Sequence, residues 1–160
     1  LNPFNILDVK FEGEEVLRSS GCDYSIVRPC GLNDDFPSGR PLLTQGDLAV
    51  GRINRVDVAS LLVAISKENE ATGKTFEAIT LPQFPVPQSY DQQLGRLKAD
   101  GQELSDDVLD LTYNIMQQMT PGEMLAPQNL AMGQTYEQLD TGEEGRLGKR
   151  GEETVPISAQ

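Results

Sequence analysis

The run from Lys10 to Leu32, KFEGEEVLRSSGCDYSIVRPCGL, restricts the fold more than any other part of the chain. A helix-forming stretch ends at Ser19-Ser20-Gly21, where Gly21 suits the left-handed position that closes a helix. The next residues, DYSIVR at 23–28, carry the aromatic and β-branched side chains of a sheet interior. Pro29 then stops the ladder, because it has no N–H to donate. A helix, a tight turn and a buried-type strand make an α/β unit.

Further elements follow from spacing. Ile6, Val9, Gly13, Val16 and Leu17 predict a helix over 6–19 with that stripe inward, and Gly13 marks a close approach to a sheet. Residues 30–52 hold Gly31, Pro37, Gly39, Pro41, Gly46 and Gly51 and read as one long loop. Asn54 is the candidate N-cap of a second helix, with Asp57 at N3 and Ile53 and Val58 as a hydrophobic staple. Val58, Leu61, Leu62 and Ile65 form its apolar face. Ala71-Thr72-Gly73 turns the chain into a strand over 74–80. The prolines of LPQFPVPQ, 81–88, mark a linker or extended arm, and a helix is predicted over 88–98. Ser105 caps a stronger helix over 105–119, with Leu104, Val108, Leu111, Ile115 and Met119 along its stripe. Thr120-Pro121-Gly122-Glu123 reads as a further cap. Residues 127–160 show no period beyond Gly142, Gly145, Gly148 and Gly151, and read as an extended or disordered tail. The expected organisation is thus an α/β half-domain over 1–80, a linker with a short helix over 81–104, helices over 105–126, and a tail over 127–160.

Charge excludes some functions. The chain has 160 residues, a net charge of −12 and no His. Residues 1–80 carry −4 and residues 81–160 carry −8. Nucleic-acid binding draws its affinity from Lys and Arg on phosphates, so this balance argues against it. It also argues against docking on an anionic lipid surface. No stretch has the apolar length of a membrane span. Without His, any catalyst would rely on carboxylates, Lys, Tyr or Cys. Asp34-Asp35 and Asp106-Asp107-Asp110 lack the loop spacing of a calcium site, and no metal is expected. Cys22 and Cys30 flank the predicted strand, which holds them roughly 26 Å apart. A disulfide needs less than about 7 Å, so both are expected as free thiols. The chain begins at Leu1 in mid-fold, as a processed chain or a piece of a longer one would.

The residues Lys10, Glu14 or Glu15, Leu17, Arg18, Ser20, Gly21 and Tyr24 to Pro29 occur in a telling order. So do Gly31-Leu32, INRVDVA at 53–59 and GKTFE at 73–77. Over 3–80 this order resembles the second half of a Rossmann-like domain of the atypical short-chain dehydrogenase/reductase type. Arg28-Pro29-Cys30 and the Gln45-Gly46-Asp47 tripeptide resemble a plastid branch, where the fold is joined to a complex I intermediate-associated domain. The resemblance implies that Lys10 matches the lysine holding the nicotinamide ribose. That lysine also lowers the pKa of a tyrosine four residues earlier, the general acid of carbonyl reduction. Here that position is Ile6, and no G-x-G-x-x-G phosphate loop exists.

The resemblance therefore implies no catalytic residue, and cofactor contacts only at Lys10, Arg28 and Pro29. No cofactor is expected, with NADP only if a missing N-terminal half exists. Lys10 is either an ordinary helix residue or a surviving nucleotide contact. Cys30 is either a small packed residue or a thiol activated by Arg28. The leading expectation is a non-catalytic structural or assembly subunit. It would sit peripherally on the stromal side of a chloroplast thylakoid photosystem, photosystem I in particular, and dock to protein partners through Leu104, Val108, Leu111, Ile115 and Met119. The alternatives are an NADP-dependent reductase whose nucleotide-binding half lies outside the sequence, and a soluble photosystem assembly factor.

Overall fold

The computed structural model describes residues 6–120, with side chains from Leu7 onward. The cap expected at 120–123 and the tail over 127–160 lie outside these residues, Thr120 excepted. In chain order the elements are α1 (Ile6–Ser19), β1 (Ser25–Pro29), β2 (Gly31–Leu32), β3 (Arg40–Thr44), β4 (Arg52–Ile53), α2 (Arg55–Ile65), β5 (Lys74–Leu81), α3 (Asp91–Leu94) and α4 (Asp106–Met119). The last strand in sequence is the middle strand in space. β5 pairs parallel with β1, from Ser25↔Lys74 to Pro29↔Ala78, and antiparallel with β3, from Arg40↔Leu81 to Thr44↔Glu77. β2 and β4 form a short parallel pair just beyond the end of β1.

Alternation along β5 sorts the two faces. Phe76 and Ala78 point to one side and pack with Leu43, Leu61, Ile65, Tyr90 and Leu94, which places α2 and α3 there. Ile79 and Leu81 point to the other side and pack with Met116 of α4 and partly with Cys30, Leu42 and Met119. The architecture is a partial Rossmann-like α/β fold, with a three-stranded sheet covered on both faces.

The α2 cap forms as its sequence predicts: the Asn54 side chain accepts the Asp57 N–H at 2.8 Å. The Asn54 amide also donates to Phe36 O and Ser38 Oγ, so the cap tethers the preceding loop. Ile53 and Val58 join one cluster, while Leu62 of the expected apolar face stays exposed. The stretch 30–52 is not one loop. It holds β2, β3 and β4, and Pro41 is tolerated because β3 is an edge strand. Gly39 admits no side chain, since a Cβ there would collide with Leu81 O and Pro82 Cα.

Five other expectations are corrected. The α1 stripe does not face inward: Val9 is 64% and Val16 69% exposed. Gly13 has open space where a Cβ would stand, so it makes no close approach. The inward side of α1 carries Glu14 and Arg18 instead. The helix expected over 88–98 shortens to α3, and the Ser105 side chain makes no cap bond, Ser105 O taking the Val108 N–H instead. The stretch 81–104 is no free linker, because Tyr90 and Leu94 are buried in the main cluster and the Asp100 N–H donates to Gly73 O at 2.8 Å.

Candidate functional site: a cleft along the edge of β1

β1 has a strand on one side only among the described residues. Gly73 N–H donates to Tyr24 O and Cys30 N–H to Ala78 O, so the even-numbered residues of this stretch bond to β5. In a parallel ladder the alternate residues then turn their N–H and C=O groups the other way. The outward groups of Ser25 and Val27 face a cleft of about 1290 Å³ between α1 and α2. Leu7, Phe11 and Leu17 of α1 and Leu62 of α2 wall it. Lys10, Arg28 and Pro29, the three residues implied as cofactor contacts, all line this one cleft.

Their states differ. Lys10 is exposed and ion-pairs with no carboxylate among the described residues. Arg28 is committed. Its Nε and Nη2 donate to Glu14 at 3.0 and 2.8 Å, and its Nη1 donates to Asp47 Oδ1 at 2.7 Å. The Glu14 carboxyl is held below its ordinary range, chiefly by the Arg28 hydrogen bonds, against the opposing effect of burial. Asp47 sits at φ 56°, in the left-handed region, and its N–H donates to Glu77 Oε1. Glu77 is buried, which pushes its carboxyl up, while Thr44 and the Asp47 N–H hydrogen-bond to it and pull it down. Pro29 is the exposed end of β1.

Cys30 is not activated by Arg28. Burial, and then the charges of Glu77 and Asp47, push its thiol up to about 12. Its Sγ donates to Ala49 O at 3.4 Å, and both cysteines are free. Such a thiol is a small packed residue and not a nucleophile.

A second polar cluster closes the far end of α1 and escapes sequence reasoning. Asp100 accepts from Arg18 Nε at 3.0 Å, Tyr24 OH at 3.0 Å, Thr75 N–H at 2.8 Å and Thr75 Oγ1 at 2.6 Å. Burial raises the Asp100 carboxyl, and the bonds from Thr75, Arg18 and Tyr24 outweigh it, so the net shift is downward. Acid and base are 82 residues apart, and no motif joins them.

The residues expected to dock a partner divide between two sides of α4. Met119 packs against the second cluster and Leu104 is half-buried. Val108, Leu111 and Ile115 are 43%, 60% and 40% exposed. The helix covers its own sheet through Met116, and among the described residues the other three stay largely exposed.

A family model described as NAD(P)H-binding matches residues 2–69, the part that holds α1, β1 and α2 and walls the cleft. An uncharacterized chloroplastic protein of Arabidopsis thaliana is 33% identical over 100 residues, covering 61% of this chain and 35% of that protein. The chain thus spans about a third of the length of this curated relative. In fold and in sequence, it is similar to part of an NAD(P)H-binding Rossmann-like domain.

Proposed function

We propose that this chain supplies one wall of an NAD(P)H-binding domain, with the cleft along β1 as the place where the nucleotide meets it. The observation that carries this reading is the convergence of Lys10, Arg28 and Pro29 on one cleft beside an edge of β1 that meets no strand among the described residues. Lys10 suits a ribose hydroxyl, because its amine is exposed. Arg28 does not contact a phosphate, because Glu14 and Asp47 occupy its guanidinium. A pyrophosphate needs backbone N–H groups at a helix start. The start of α2, beside the cleft, is already filled by the Asn54 side chain and by Asp34, which accepts the Arg55 N–H. Another segment must therefore hold the phosphates. The cofactor supplies a hydride when bound, and Ile6 has no proton to give, so this wall orients and shields rather than protonates.

Titration of the 160-residue chain with NADPH tests this. Calorimetry should show no micromolar binding. At millimolar NADPH, amide chemical shifts should move at Lys10, Val27 and Arg28 and from Cys30 to Leu32, and stay still elsewhere. Micromolar affinity, or shifts confined to another surface, would overturn the reading.

A second reading, a non-catalytic subunit of a larger complex, is favoured by the exposed Val108, Leu111 and Ile115 stripe. The name of the Arabidopsis relative supports a chloroplast location, where a photosystem neighbour on the stromal face of the thylakoid would cover that stripe. Leu111→Asp with Ile115→Asp should cut incorporation at least tenfold, read by native gel and mass spectrometry of the band. Both positions are exposed, so the fold should persist. Wild-type incorporation of the double variant would exclude docking through α4.

A further inference from the structure

A second cavity, of about 580 Å³, lies on the opposite edge of the sheet and belongs to no function described so far. It sits at the carboxyl end of β5, where Leu81 meets Arg40, the first residue of β3. Open α/β sheets bind ligands outside the carboxyl ends of their strands. Its size falls in the range of small-molecule sites, about 300–1,000 Å³. Leu42, Leu81, Phe84 and Met119 make an apolar wall, and two cations, Arg40 and Arg96, line the same space.

The two arginines are unusual for this chain. Arg18, Arg28 and Arg55 each pair with a carboxylate. Arg40 and Arg96 pair with none among the described residues, in a protein of net charge −12. Among the described residues Arg40 spends only its Nε, on Pro85 O at 3.3 Å, and that bond aims the guanidinium without neutralising it. Gln93, which also lines the cavity, is tied to the β3 backbone: its Oε1 accepts the Leu43 N–H and its Nε2 donates to Pro41 O. This braces α3 and the Arg96 that follows it. Asp91 is the one acidic residue that lines the cavity, and its carboxylate ion-pairs with neither arginine among the described residues. Two guanidinium groups against an apolar wall match an anion with an apolar body. An inorganic anion would leave the wall wet, and a purely apolar ligand would leave both charges unmatched.

We propose that this cavity binds an organic carboxylate. The carboxylate would be held by Arg40 and Arg96, and its hydrocarbon part would lie on Leu42, Leu81, Phe84 and Met119. The site is independent of the nucleotide reading, because it shares no lining residue with the cleft along β1.

The test uses the 160-residue chain with 4-phenylbutyrate, the neutral isostere 4-phenylbutanol and inorganic phosphate as probes. Phenylbutyrate should bind with a Kd on the order of 0.1–1 mM and at least about tenfold more tightly than phenylbutanol. Phosphate should bind more weakly than phenylbutyrate. The Arg40→Gln, Arg96→Gln double variant should lose about tenfold or more for the carboxylate and nothing for the alcohol. The single variant Arg96→Gln, at an exposed position, should lose part of that affinity with an unchanged urea midpoint. The proposal is overturned if phenylbutyrate fails to bind at millimolar concentration, binds no better than the alcohol, or keeps its affinity in the double variant. It is also overturned if Lys10→Gln, in the other cleft, is what removes binding.

Discussion

Leu94→Ala should lower the stability of the chain by about 3 kcal/mol, in one cooperative transition. Leu94 is fully buried and packs in one cluster with Leu61, Phe76 and Tyr90. Its carbonyl also accepts from the Lys74 ammonium at 2.8 Å, which fixes α3 against the start of β5. Truncation removes an isopropyl group from a site walled by β5 and α2, and the rigid sheet cannot collapse into the space. Urea unfolding followed by far-UV circular dichroism and by tyrosine fluorescence should give coincident curves, shifted together. A loss under about 1 kcal/mol, or a shift seen by one probe alone, would make residues 90–100 an appendage rather than part of the core.

Asp100→Ala should cost a comparable amount, about 3 kcal/mol, for a different reason. The substitution leaves Arg18 and the Thr75 and Tyr24 donors facing a vacancy at the junction of α1 with β1 and β5. The loss should be largest for α1, whose attachment to the sheet is polar, so amide exchange there should rise first. Asp100→Asn separates charge from shape. The folded pKa of Asp100 lies below the unfolded value of about 3.9. Its contribution is therefore fully present above that pH and disappears as pH falls through the folded pKa. The gap in stability between wild type and Asp100→Asn should be constant from pH 8 to 5 and close below about pH 4. A gap that stays open in acid would mean that shape, not charge, holds the junction.

The sequence exposed those parts whose signal is local. The Asn54 cap with Asp57 at N3 marks the start of α2, and Lys74 to Thr80 carries a sheet-interior composition. β3 was hidden because Gly39 and Pro41 punctuate RPLLT, and only its place at the sheet edge makes Pro41 acceptable. The inward face of α1 is not legible in the sequence because it is charged. A periodicity of apolar residues places Glu14 and Arg18 in water, whereas Arg28, Thr75 and Asp100 receive them in the structure. Lys10, Arg28 and Pro29 were legible through resemblance, but not that Glu14 and Asp47 neutralise Arg28. The pairing of Arg40 with Arg96 in one cavity has no sequence signal, because they are brought together by β3 and the turn after α3.

The central place of β5 sets the order of assembly during synthesis. β1 and β3 do not pair with each other, and both pair with β5, which comes after them in the chain. The register Ser25↔Lys74 spans a separation near half the described chain, a long loop to close before any ladder forms. A nascent chain that has emerged only as far as α2 therefore carries β1 and β3 without the strand that joins them. The sheet appears in one late step, when Lys74 to Leu81 inserts between them. Until then the ribosome-bound chain exposes Val27, Leu42 and Leu43 as unpaired strand surface, a surface of the kind that chaperones recognise.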